Sequence, residues 1–477
     1  MAKFIGRKDE INKLLALTKK KTASFVVLRG RRRIGKSRLI DEISQHFDHY
    51  YSFEGLAPEE GVTAKDQLEE FSRQMTQQFA LPFSIYNDWS DAFWAMGERV
   101  KTGKILILFD EISWMGMDEP TFLPKIKNCW DKYLKKNDQL MFVVCGSASA
   151  WIEKNISNST GFVGRISYTL TLKELLLSDC IQFWPKNIAV YEKLKILSIT
   201  GGIPKYLEEI NAKLSAEENI KQLCFTRGAI LVKEFEQIFS DFFMRKSPLY
   251  KKIIESLVSG PKERNEICNL LNIDPGGRIS DYLEELELSG FISRDYTWDI
   301  ASGSDAKLSQ YRLSDNYLRF YLRYIGKNLT KINRDNFNFK SLNSLPEWNS
   351  IMGLQFENLI LNNRSLIHHA LNINPDDIIS ENPFYQRKTD RFSGCQIDYM
   401  IQTKFNTLYI CEIKFSKNQI DSSVINDVQK KIDALNFPKG YSCRPVLIHV
   451  NGVTQDLKEN DYFTALIDFS EHLNLSE

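Results

Sequence analysis

An α/β fold, with a parallel sheet held between helices, is what the first 170 residues predict, and three observations carry the prediction. Short apolar, β-branched runs alternate with longer helical patterns, the order that strand–helix–strand crossovers require. The run at 105–109, ILILF, is apolar on both faces, as a strand in the middle of a parallel sheet must be. The run at 24–28 leads directly into a glycine-framed loop and then into a helical pattern.

In chain order, strands are expected at 24–28, 50–53, 105–109 and 140–145. Helices are expected at about 37–47, 64–79, 88–101 and 121–136. These form a core over 1–170, after which strands are expected to stop. Helical patterns then run from 172 to 243, interrupted by Gly201-Gly202-Ile203-Pro204, and read as a helical lid over 171–245. Three short helices (248–259, 264–271, 277–289) precede a hairpin (291–296 with 310–313), which is the order of a winged helix over 246–325. The stretch 326–350, rich in Asn, Lys and Ser, reads as a linker. A final α/β segment, 351–477, opens with a helix. It continues with strands near 396–402, 407–415 and 444–450 and helices near 420–436 and 462–470.

Bulk properties bound the function. A chain of 477 residues is too long for one core. With 62 basic and 61 acidic residues the net charge is +1, so nucleic-acid binding must come from local patches. The eight cysteines include no CxxC pair, and several lie in apolar runs, which fits free buried thiols and a reducing cytoplasm. The N-terminus is charged and lacks a signal-peptide core. No apolar run approaches the roughly 18 residues of a membrane span, so no membrane role is expected.

The loop at 30–37, Gly-Arg-Arg-Arg-Ile-Gly-Lys-Ser, fits GxxxxGK[ST] between a strand and a helix. Its glycines, Gly30 and Gly35, let backbone N–H groups turn towards phosphates, and the helix N-terminus adds its dipole. Lys36 reaches the β/γ-phosphates and Ser37 offers a hydroxyl to Mg²⁺. The strand at 105–109 runs into Asp110-Glu111. Asp110 is placed to hold Mg²⁺ through water, and Glu111 to polarise the attacking water. The strand MFVVCGSAS ends beside the γ-phosphate position; Ser147 is either a phosphate sensor or part of a turn. Together these define an ATP site.

FIGRKDEI at 4–11, the phosphate loop, the Asp-Glu strand, GSAS at 146–149, GR at 164–165 and GGIPKYL at 201–207 follow one another in this order. In this the chain resembles the archaeal-type ATPase family of STAND/AAA+-like P-loop proteins. YRLSDNYLRFYLRYI at 311–325 is similar to the end of that family's winged-helix region. The resemblance covers roughly 3–325. It implies that Phe4, Gly6 and Arg7 border the adenine and that Pro204 packs on the base. It also offers Arg165 as an arginine finger for a neighbouring subunit, against its reading as a surface arginine, and allows a homo-oligomer or a partner protein.

The winged-helix segment holds about as many basic as acidic residues, and its recognition helix carries DYLEELE. A DNA reader needs a basic stripe, so interdomain packing is the better expectation. In the tail, Glu412 and Lys414 of CEIKF fall on one strand face, and Asp398 of QID ends a neighbouring strand. Two carboxylates sharing Mg²⁺ or Mn²⁺ beside a lysine suit phosphodiester hydrolysis. This resembles the PD-(D/E)XK nuclease fold, with QID in place of PD. The resemblance implies Glu357 on the leading helix, Asp398 and Glu412 as metal ligands and Lys414 beside the water, with Gln429 as a weak auxiliary match. His368–His369 reads as incidental. The function expected is an ATP-driven switch coupled to a nuclease-like tail acting on nucleic acid; the alternative is a STAND-type regulator whose tail only binds.

Overall fold

A computed structural model describes residues 4–147, 149–243, 247–390 and 392–473. It forms two compact units: Met1–Leu175 with Glu236–Ser247 and Glu284–Gly290, and Leu176–Phe235 with Pro248–Leu283 and Phe291–Glu477.

The first unit is built on β1 (Ser24–Arg29), β2 (His49–Glu54), β3 (Ile105–Asp110), β4 (Leu140–Gly146) and β5 (Tyr168–Thr171). They pair in the order β2-β3-β4-β1-β5, all parallel. β3 and β4 are buried along their whole length, which explains their unbroken apolar sequences. Helices Lys36–Ser44, Ala64–Gln78, Trp89–Arg99 and Phe122–Lys132 lie in the connections. Thr63 and Asp66 close a capping box on Ala64–Gln78, and Asp88 caps Trp89–Arg99. Phe53, Phe71, Phe93, Phe109 and Phe142 pack into one core cluster.

The four strands and helices of this unit fall where the sequence places them, to within a few residues. No strand is expected at 168–171, yet one forms there before the strands give way to helices. β5 closes the sheet at the edge beside β1, and only Leu170 of its four residues is buried. One buried position in four residues offers no period-two signal to read.

In the second unit, helices Val190–Thr200, Pro204–Leu207 and Ala216–Cys224 occupy the expected lid segment. Helices Ser247–Ser256, Arg264–Leu271 and Gly277–Leu288 precede the antiparallel pair β6 (Ile292–Trp298) and β7 (Asp305–Leu313), and Lys262 bridges to Tyr311 of β7. The stretch expected as a linker is instead packed. A helix covers Gly326–Asn333, and Ile332, Leu342 and Leu345 are buried. Its polar composition hides these spaced apolar anchors.

The tail sheet comprises β8 (Ile378–Gln386), β9 (Cys395–Thr403), β10 (Thr407–Lys414), β11 (Ser442–His449) and β12 (Ala465–Asp468), in the order β12-β11-β10-β9-β8. β8, β9 and β10 are antiparallel neighbours, while β10, β11 and β12 run parallel. The helix expected at 462–470 is β12 followed by a single turn, Phe469–His472. β8 escapes sequence reading because Pro383 interrupts it. As an edge strand it tolerates the missing donor, with a register shift between Asn382 and Phe384.

The β6–β7 hairpin lies on this sheet. Trp298 Nε1 donates to Gln402 Oε1 at 2.5 Å, Asn382 Nδ2 donates to the Tyr296 carbonyl at 3.1 Å, and Trp298 meets Phe384 edge-on. Among the described residues no helix is long and apolar enough to cross a membrane.

Candidate functional site

The carboxyl ends of β1, β3 and β4 bring the nucleotide-site residues together. After β1 the chain turns at Gly30, where φ is +152° and an added Cβ would come within 2.6 Å of the Leu172 carbonyl oxygen. Gly35, with φ 92°, caps helix Lys36–Ser44. These two glycines let the loop wrap close to its own backbone. Lys36 is almost fully buried, and its ammonium donates to the carbonyls of Gly30 (3.1 Å) and Arg31 (3.3 Å). A lysine held over a ring of backbone groups fits a polyphosphate, which would replace those carbonyls with charge-assisted bonds.

In the first turn of the helix, the Ser37 hydroxyl donates to Asp110 Oδ2. Asp110 Oδ1 also accepts from the Glu111 amide (2.9 Å) and from the Cys145 thiol (2.8 Å) at the end of β4. A hydroxyl beside a fixed carboxylate is the donor set a hydrated Mg²⁺ takes. Glu111 has φ 50°, a left-handed conformation that costs energy for a residue with a Cβ. Its Oε2 accepts from both the amide (2.9 Å) and the hydroxyl (3.0 Å) of Ser147. Ser147 is thus a direct partner of Glu111.

Two features of this site have no sequence counterpart in the expectations. Cys145, read as a buried thiol, holds Asp110; burial and then Asp110 push its pKa well up, so it stays a thiol donor. Glu54 ends β2 opposite Asp110 in the register. Burial, then Asp110 and Glu111, raise its pKa. The equivalent strand-end position of Glu54 was the available signal.

The residues placed by resemblance lie as follows. Phe4 and Gly6 precede helix Lys8–Leu17 and are partly buried. Arg7 donates to the carbonyls of Ile34 (3.1 Å) and Lys173 (2.6 Å) and pairs with Glu10 at 3.0 Å, tying the N-terminal segment to the phosphate loop. Arg165 forms a forked ion pair with Asp131, with Nη2 to Oδ2 at 2.8 Å, and that bond leads the causes lowering the Asp131 pKa. Arg165 is thus held by an ion pair within its own unit, and its side chain stays partly exposed. Pro204 opens the helix Pro204–Leu207 in the second unit, followed by buried Tyr206.

A second constellation lies on the tail sheet. Asp398 on β9 and Glu412 on β10 are bridged by Lys431 of helix Ser423–Ala434, whose ammonium lies 3.1 Å from Asp398 Oδ1 and 2.6 Å from Glu412 Oε2. Lys414 pairs with Glu412 Oε1 at 2.8 Å, and the Ile413 amide donates to Asp398 Oδ2 at 2.9 Å. Burial and then Glu412 raise the Asp398 pKa. Burial also pushes Glu412 up, but Lys431 and Lys414 outweigh it and hold Glu412 below its ordinary value. Glu357, on helix Trp348–Leu361, is pushed up to about 8 by burial and then by Asp398. Among the described residues, no three His, Cys, Asp or Glu side chains group as a metal ion would need. The sequence reading missed Lys431 and weighed Gln429 instead, whose amide donates to Asp433 on the exposed side of the helix. Gln429 and Lys431 are two positions apart, which puts them on different helix faces. His368 bonds Glu381 at 2.6 Å and Tyr399 at 3.1 Å.

The parallel sheet, the glycine loop after its first strand and the acids ending the third define a P-loop ATPase domain. Comparison with known proteins agrees: residues 4–210 match the family described as an ATPase domain predominantly from Archaea. An uncharacterised protein of Methanocaldococcus jannaschii is 27% identical over 361 residues, covering 74% of this chain and 75% of that one. Among solved structures, the Walker-type ATPase of Pyrococcus abyssi is similar with a TM-score of 0.49 and 16% identity, over 67% of this chain and 96% of that one. The ORC2 protein of Aeropyrum pernix, in complexes with ADPNP and ADP, gives a TM-score of 0.42 at 13% identity, over 70% of this chain and 96% of that one.

Proposed function

We propose that the chain is an Mg²⁺-dependent ATP switch whose bound nucleotide controls a nuclease-like tail acting on nucleic acid. The observation that carries the ATP half is the meeting of Lys36, Ser37, Asp110, Glu111 and Ser147 at the ends of adjacent parallel strands. Lys36, with the loop amides between Gly30 and Gly35, holds the triphosphate, and Ser37 with Asp110 holds the ion. Mg²⁺, when bound there, neutralises charge building on the phosphates. Glu111 orients the water, and its bonds to Ser147 fix its carboxylate until a γ-phosphate competes for the serine. Phe4, Gly6 and Arg7, joined to the phosphate loop through the Arg7 bond to the Ile34 carbonyl, border the base. The segments 171–245 and 246–325, a lid and a winged helix, transmit the state.

The tail half rests on Asp398, Glu412 and Lys414 meeting on two neighbouring strands, with Glu357 close enough to feel Asp398. Asp398 and Glu412 would take Mg²⁺ or Mn²⁺ as a pair, with water completing the shell, and Lys414 would orient the attacking water. Incubating the chain with single- and double-stranded DNA and RNA in Mg²⁺ or Mn²⁺ tests this. The expected result is cleavage that Asp398→Ala and Lys414→Ala abolish while folding and ATP binding persist. No cleavage of any substrate with either ion removes the nuclease reading. The second reading, a regulatory ATPase whose tail only binds, is favoured by one observation: both tail carboxylates are already engaged by lysines.

A further inference from the structure

We propose that Lys431 is the resident cation of the Asp398–Glu412 pair and that a divalent ion gains this pair only by displacing it. The inference rests on the reading of the tail as a metal-dependent site, which supplies the competing ion, and it assigns helix Ser423–Ala434 control over whether that site is open.

The argument begins with occupancy. Each of the four carboxylate oxygens has a partner: Lys431 on Asp398 Oδ1 and on Glu412 Oε2, the Ile413 amide on Asp398 Oδ2, and Lys414 on Glu412 Oε1. Asp398 Oδ1 and Glu412 Oε2 are the two oxygens that one cation, the Lys431 ammonium, reaches together. Charge points the same way. Among the groups in direct contact, two carboxylates and two ammonium groups balance, so a divalent ion added with both lysines in place would bring two further positive charges into a largely buried site. Such a site does not tolerate an unpaired charge cheaply. One lysine must leave.

Lys431 is the one whose departure frees both carboxylates. Lys414 sits beside Glu412 on the same strand and touches only one. The Glu412 side chain is 5% exposed and cannot move away, whereas that of Lys431 is 25% exposed, on a flexible four-carbon stem rooted in a helix. Its ammonium can swing outward while the acids stay fixed by Ile413 and Lys414. Arginine at this position would grip both carboxylates more firmly through its planar fork.

The test reads ion binding, so it does not depend on cleavage. Mn²⁺ is titrated into the nucleotide-free full chain, followed by electron paramagnetic resonance of the free ion and by the Mn²⁺-induced rise in Tm. Lys431→Met and Lys431→Gln should tighten Mn²⁺ binding at least tenfold over wild type. Adding Asp398→Asn to Lys431→Met should reverse the gain, and Lys431→Arg should bind no tighter than wild type. If either neutral variant folds poorly without metal, the Tm rise with Mn²⁺ should be larger than in wild type. Unchanged or weaker Mn²⁺ binding in both neutral variants overturns the inference, and so does its complete absence in them. Tight Mn²⁺ binding by Lys431→Met without cleavage of any nucleic acid would instead defeat the nuclease reading and leave this one standing.

Discussion

At the scale of single residues, Lys36 and Glu111 carry the two roles proposed for the ATP site, holding phosphate and orienting water. Lys36 is buried over the loop carbonyls, so its removal takes away the cation proposed to hold the phosphates. Ligand binding at 100 times Kd stabilises a fold by about 2.7 kcal/mol, and Lys36→Ala should lose nearly all of the Tm rise that Mg·ATP gives wild type. Glu111→Gln keeps the shape and the Ser147 contact, so it should retain that Tm rise. Phosphate release should fall by roughly 10²–10⁴-fold, the range for losing a positioned base. A variant that hydrolyses ATP normally would remove Glu111 from the chemistry. The glycines, Lys36, Ser37 and the acids were legible because a fixed spacing expresses them. Cys145 on Asp110, Asp131 on Arg165 and Lys431 on the tail acids were not, because each partner lies far away in sequence and no local pattern marks it.

Elements explain which parts of the fold could be read ahead. β3 and β4 are apolar throughout because helices cover both faces, and helix Ala64–Gln78 announces itself through Thr63 and Asp66. β5 and β8 sit at sheet edges with mixed burial, where solvent permits residues that blur the pattern. β11 carries a further consequence. His449 at its end is buried, and burial lowers its pKa below the ordinary 6.5; Lys458 acts with burial, while Asp468 and Glu471 oppose it. The folded chain therefore binds fewer protons at this ring than the unfolded chain once the pH drops below about 6.5, and stability must fall with it. Above that value the contribution is complete; it is lost as pH falls through the folded pKa. From pH 7 to pH 5.5, wild-type Tm should therefore drop further than that of His449→Gln. Parallel Tm curves for the two proteins would show that the ring titrates alike in both states.

Across the whole molecule the net charge of +1 offers nucleic acid no general attraction. Whatever binds must do so through a few local contacts, so binding should weaken only modestly with salt, by a slope near the small number of phosphates touched. The coupling proposed between ATP and the tail can be read without knowing the substrate's sequence, because linkage between two binding events is reciprocal. If nucleotide changes the affinity for nucleic acid by some factor, nucleic acid must change the affinity for nucleotide by the same factor. Typical couplings of 1–3 kcal/mol correspond to about 5–150-fold. The Kd for a non-hydrolysable ATP analogue should therefore shift by at least fivefold when saturating DNA or RNA is added. The shift should vanish in Asp398→Ala together with Lys414→Ala, provided these residues contact the nucleic acid. A nucleotide Kd that stays the same with every nucleic acid bound would mean that the two sites share a chain without sharing free energy, and the switch would have to act on some other partner.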